Sequence, residues 1–195
     1  MNNAFSKFNL YDQIGYLLVG SVALMVVYGN SILFDMRAPD FNLSSSPLWL
    51  IVGYFTGHLI QAIANMVIKE KKDNFTEKEQ EVLKSAKVYF KLEKISDNET
   101  WNLCYMLASA KDLTSHVLSF NAYYSLYRGW FVVFAIESLF MGIYTIVAFS
   151  RWNLSLTALS IMITLLFYRR LRRFYSYLRN KVLQTFVLIS ALETR

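Results

Sequence analysis

The chain holds 195 residues, of which 55% are apolar, 16% aromatic and 17% charged, with seven Gly, two Pro and one Cys. That composition excludes a disordered or collagen-like polypeptide, and a single cysteine excludes an internal disulfide. The formal charge of +6 is modest, so the placement of the basic residues says more than their total.

Apolar residues gather in four long blocks. Gly15 to Phe34 and Leu48 to Ile68 carry no formal charge, Trp130 to Phe149 carries only Glu137, and Asn153 to Tyr168 carries none. At about 1.5 Å per residue the first three blocks reach ~30 Å, the thickness of bilayer hydrocarbon. The fourth reaches ~24 Å, and the aliphatic stems of Arg169 and Arg170 can extend from just inside the membrane to its interface. One such block alone would suit a buried helix of a water-soluble protein. A domain of this size cannot shield four of them on every side, whereas lipid can. No small-residue cleavage pattern follows the first block, which reads as a retained anchor rather than a signal peptide.

All but two of the 20 Lys and Arg residues lie before the first block, between the second and third, or after the fourth; the exceptions are Arg37 and Arg151. The short flanks, Lys7, Lys69, Lys71 and Lys72 with Arg128 and Arg169 to Arg173, carry the same bias. Both termini are therefore expected in the cytoplasm. The lone Cys104 would then sit on the reducing side.

The segment between the second and third blocks is too patterned for a linker. Thr76-Glu77-Lys78-Glu79 and Ser96-Asp97-Asn98-Glu99 both have capping-box spacing, and each precedes apolar residues at helical intervals. A third helix is expected to begin near Asp112 or Thr114 and to run through Arg128 into the membrane. After the fourth block, Leu171, Phe174, Leu178, Val182, Phe186 and Ile189 form a stripe opposite Arg169, Arg170, Arg172, Arg173 and Arg179, the pattern of an amphipathic helix. The expected fold is all-α: residues 1–68 as an N-terminal anchor with two spans, 69–128 as a cytoplasmic helical region, 129–168 as two further spans, and 169–195 as a basic amphipathic helix.

Polar residues inside the blocks mark contacts or a pathway. His58, Gln61 and Asn65 share one helical face, and Gly53-x-x-x-Gly57 in the same block permits close helix approach. Ser138, Gly142 and Thr145 form a small stripe in the third block, as do Thr157, Ser160 and Thr164 in the fourth; such stripes usually pack helix on helix. Glu137 is the most informative residue. A charge at mid-span costs about 3 kcal/mol on insertion scales, so it must be neutralised, paired or wetted. His58 and Tyr144 are candidate partners, and lining or gating a cation path is the functional alternative. The pore or gating candidates are Glu137, His58, Gln61 and Asn65.

No metal-ligand cluster, cofactor fingerprint or hydrolase motif is present. Ser138 or Ser160 with His58 could be arranged as an intramembrane hydrolase, but no motif supports it, and an enzyme is not expected. Basic and aromatic residues interleave on the inner side: Lys84, Lys87, Tyr123, Tyr124, Tyr127, Arg128, Arg169, Arg170, Arg172 and Arg173. They could bind phosphates by charge and bases by stacking; topology and anionic lipid are the plainer explanation.

Three pieces carry a resemblance: Asp12-Gln13-Ile14-Gly15-Tyr16, Tyr54-Phe55-Thr56-Gly57-His58-Leu59-Ile60-Gln61 and Tyr124-Ser125-Leu126-Tyr127-Arg128-Gly129. In these the chain resembles small four-span bacterial membrane proteins similar to the Hailong-type membrane effectors of antiphage operons. The resemblance implies an oligomeric inner-membrane channel or pore controlled by a nucleotide or oligonucleotide, which a partner nucleotidyltransferase would make. Other classes remain open: a non-conducting scaffold that recruits a cytoplasmic partner, or a lipid-acting membrane enzyme. No cofactor is expected; the expected associates are membrane lipid, further copies of the chain and that ligand.

Overall fold

The computed structural model describes residues 10–37, 46–68, 75–112 and 114–193, and these form six helices and no strand. They are α1 (Leu10–Leu33), α2 (Ser46–Val67), α3 (Glu77–Phe90), α4 (Asp97–Lys111), α5 (His116–Val147) and α6 (Arg151–Glu193). Four of them, α1, α2, α5 and α6, are long and apolar enough to cross a membrane, which is consistent with a membrane location. Lys7, Lys69, Lys71, Lys72 and Arg195, which contribute to the expected orientation, lie outside the described residues, as do the side chains of Asp12 and Gln13. The chain divides into two compact units: residues 1–68 with 122–172, and residues 69–121 with 173–195.

In the first unit, α1 and α2 meet backbone to backbone. A Cβ on Gly20 would stand 1.6 Å from the Gly53 carbonyl oxygen, and one on Gly57 would stand 1.9 Å from the Tyr16 carbonyl oxygen. Only hydrogen side chains permit such a crossing. Around it Val19, Ala23, Ile60, Ala64, Val132 and Val133 form a core shared by α1, α2 and α5. Between α5 and α6 the turn is closed by Asn153, whose backbone N–H donates to Ser150 Oγ (3.0 Å) and whose side-chain amide donates to the Ala148 carbonyl (2.7 Å). The two hydroxyl stripes then face each other: Ser138 Oγ lies 2.7 Å from Ser160 Oγ and 2.9 Å from Thr164 Oγ1, and Thr145 Oγ1 lies 2.8 Å from Thr157 Oγ1. Large apolar residues point away from this unit, among them Phe55 (63% exposed) and Ile146 (84% exposed), an arrangement for which hydrocarbon is the matching solvent.

In the second unit, both expected capping boxes are present, with Thr76 and Ser96 as N-caps. Glu79 does double duty. Its Oε2 accepts from the Thr76 N–H (2.7 Å) and from the Arg179 guanidinium (2.6 Å), tying the start of α3 to α6. Phe186 of α6 is buried and packs edge-on to Tyr89 at 5.5 Å, with Leu83, Ala86, Cys104, Ala108, Leu178 and Val182 completing the core. Glu193, at the end of α6, accepts hydrogen bonds from both Tyr89 and Lys111.

Candidate functional site

Glu137 lies about two turns past Trp130, where the apolar part of α5 begins, and its partner is neither His58 nor Tyr144. Asn30 of α1 donates its side-chain amide to Glu137 Oε2 at 2.7 Å. The pairing follows from the α1 to α5 packing through Val19, Ala23, Val132 and Val133, which brings the C-terminal halves of the two helices together. Tyr144 is instead committed to Phe34, ring centroids 4.2 Å apart. Beside the Asn30 to Glu137 bond is a cavity of about 370 Å³ walled by Ala23, Val27, Phe34, Ile60, Val133 and Phe140; Asn30, Ser31 and Glu137 are its polar side chains.

The stripe of α2 is split by its surroundings. His58 is exposed and stacks on Tyr16 with centroids 4.0 Å apart, with Tyr54 edge-on at 4.5 Å. Gln61 is buried against α5: its amide donates to the Ser125 carbonyl (2.7 Å) and its carbonyl oxygen accepts from Arg128 (3.3 Å). Asn65 is exposed. Gly129 is required at the Gln61 junction, because a Cβ there would stand 2.7 Å from Val19 and 2.9 Å from the Gln61 amide. His58, Gln61 and Asn65 are not among the residues lining the cavity of Glu137; His58 contacts Tyr16 and Tyr54, whereas Ser138 meets Ser160 and Thr164.

The candidate ligand residues fall in both units. In the first, Tyr124 is buried beneath the Arg128 guanidinium (5.2 Å from the ring centroid), Tyr127 meets Trp130 edge-on and lies tilted against Phe167, and Tyr123, Arg169, Arg170 and Arg172 are exposed. Arg128 Nε is buried without a hydrogen-bond partner. In the second, Lys84 is exposed, Lys87 pairs with Asp97 at 2.7 Å, and Arg173 donates to the Tyr177 hydroxyl at 2.6 Å. Burial pushes the Cys104 thiol up to about 12, so it is a neutral core side chain rather than a nucleophile. Among the described residues no three His, Cys, Asp or Glu side chains gather as metal ligands.

Sequence reasoning passed over Asn30 and Gly20. Asn30 did carry a signal, as an amide within an otherwise apolar block that needs a partner in a dry environment. No family model, curated protein or solved structure matches the chain.

Proposed function

We propose that the chain is a homo-oligomeric effector of the bacterial inner membrane, with both termini in the cytoplasm and an ion path controlled by a nucleotide or oligonucleotide in antiphage defence. The observation that carries this reading is the carboxylate of Glu137, half-buried among helices of membrane-crossing length and held by a neutral amide. One such carboxylate per subunit, repeated around an axis, makes a ring that attracts cations. Regulation by an anionic ligand draws on the exposed Arg169, Arg170 and Arg172 and on the unpartnered Nε of Arg128; guanidinium groups hold phosphates in bidentate fashion. Arg128 is joined through Gln61 to α2 and is followed by Gly129, so displacing it toward a ligand would disturb helix packing directly.

Planar-bilayer recording tests the reading. Purified protein is expected to conduct cations, and Glu137→Gln is expected to change conductance or selectivity and to lessen toxicity on overexpression. Protein that never conducts, with mononucleotides or oligonucleotides added or removed, counts against a channel. A non-conducting scaffold is the second reading, favoured by exposed apolar side chains of the second unit such as Val88, Met106, Leu188 and Leu192; it expects Glu137→Gln to be harmless.

A further inference from the structure

The cavity beside Glu137 has a chemistry of its own. Its walls are apolar side chains from α1, α2 and α5, and its volume of about 370 Å³ lies within the usual range of small-molecule sites, roughly 300–1,000 Å³. Its polar side chains are few, and none carries positive charge. The Ser31 hydroxyl donates back to the Val27 carbonyl (2.9 Å), and one N–H of the Asn30 amide is taken by Glu137 Oε2. The ionisable group of its lining is a carboxyl: among the described residues Glu137 makes no ion pair, and no Lys, Arg or His lines the cavity. A ligand with a phosphate or carboxylate would bring an anion to a wall with no cation and would be rejected. An ammonium group satisfies the site, since it supplies up to three N–H donors to the free lone pairs of the carboxylate, while its hydrocarbon body meets the apolar walls. Val27, Ile136 and Phe140, which also border the cavity, are all substantially exposed, so a ligand can enter from the apolar exterior.

We infer that this cavity is a binding site for lipophilic monoamines, with the hydrocarbon body between α1 and α5 and the ammonium on Glu137. The inference concerns binding alone and stands whether or not the protein conducts.

The full-length protein in phosphatidylcholine nanodiscs, titrated with 1-adamantylmethylamine and with its neutral counterpart 1-adamantanemethanol, provides the test, with binding to empty nanodiscs subtracted. The amine is expected to bind at least about tenfold more tightly than the alcohol, a difference of ~1.4 kcal/mol. Glu137→Gln should bring the two to equal affinity. Val27→Trp, at an exposed position on the rim, should weaken both by filling the cavity, and it supplies the test of location should Glu137→Gln fail to fold. Equal affinity for amine and alcohol in the unaltered protein overturns the inference, as does amine binding that survives Val27→Trp unchanged.

Discussion

At the scale of single residues, charge and size decide what each position tolerates. Gly57 has the Tyr16 carbonyl where a Cβ would go, so Gly57→Ala must push α1 and α2 apart. The expected loss is about 3 kcal/mol, read as a lower melting temperature in detergent, whereas Gly142→Ala, with open space around it, should be nearly neutral. Asp112 gives a pH-dependent counterpart outside the apolar helices. Partial burial would raise its carboxyl, but hydrogen bonds from the Thr114 hydroxyl and from the Val117 and Thr114 N–H groups outweigh this and hold it below the usual carboxylate range. A carboxyl that releases its proton more readily folded than unfolded stabilises the fold above the unfolded value, and the contribution fades as pH falls through the lower folded one. The melting-temperature gap between the wild type and Asp112→Asn should therefore shrink from about pH 5 to about pH 3; a gap that widens would contradict this role of its hydrogen bonds.

At the scale of elements, helix ends and helix faces follow different rules. The α3 and α4 starts are set by Thr76 and Ser96 with Glu79 and Glu99, local chemistry that needs nothing from the rest of the chain. The Ser96 hydroxyl and N–H hold the Glu99 carboxyl below its ordinary value, as a working capping box requires. The end of α3 is less favourable, because Lys91 takes a left-handed conformation with φ 56°, which a residue with a Cβ adopts at a cost of about 1 kcal/mol. Lys91→Gly is expected to recover roughly that amount, measurable as slower hydrogen exchange across Glu77–Phe90; faster exchange would show that the lysine side chain contributes more than its backbone costs. Faces depend on partners. The hydroxyls of α5 and α6 satisfy one another across a tight turn, while on α2 the same helical spacing yields one buried amide and two exposed side chains.

For the whole molecule, the solvent is the governing variable. Side chains such as Phe55, Leu59 and Ile146 project outward from helices of membrane-crossing length, and water would be a poor medium for that surface. The protein is expected to remain dispersed only in detergent or lipid, and reporters fused to its two ends should both read as cytoplasmic if the basic flanks set its orientation. Reporters on opposite sides would overturn the proposed topology, and with it the assignment of the arginine-rich part of α6 to an intracellular ligand.

Helix positions were legible from the amino-acid order because their causes are local: block length against hydrocarbon thickness, caps three residues apart, and apolar spacing. The helical continuation from the region after Asp112 into the third apolar block was legible for the same reason. Partnerships across the chain were not. Glu137 and Asn30 are 107 residues apart, and nothing in either neighbourhood names the other; only the crossing of α1 with α5 brings them together. Gly53 and Gly57 announced a close approach, yet Gly20 and Tyr16 on the opposing helix became visible only when two backbones occupied neighbouring space. Hydrophobic length specifies that a helix crosses hydrocarbon, whereas the rotation of each helix about its axis comes from packing, and it is that rotation which turned Gln61 inward, left His58 and Asn65 exposed, and opened a cavity against a carboxylate.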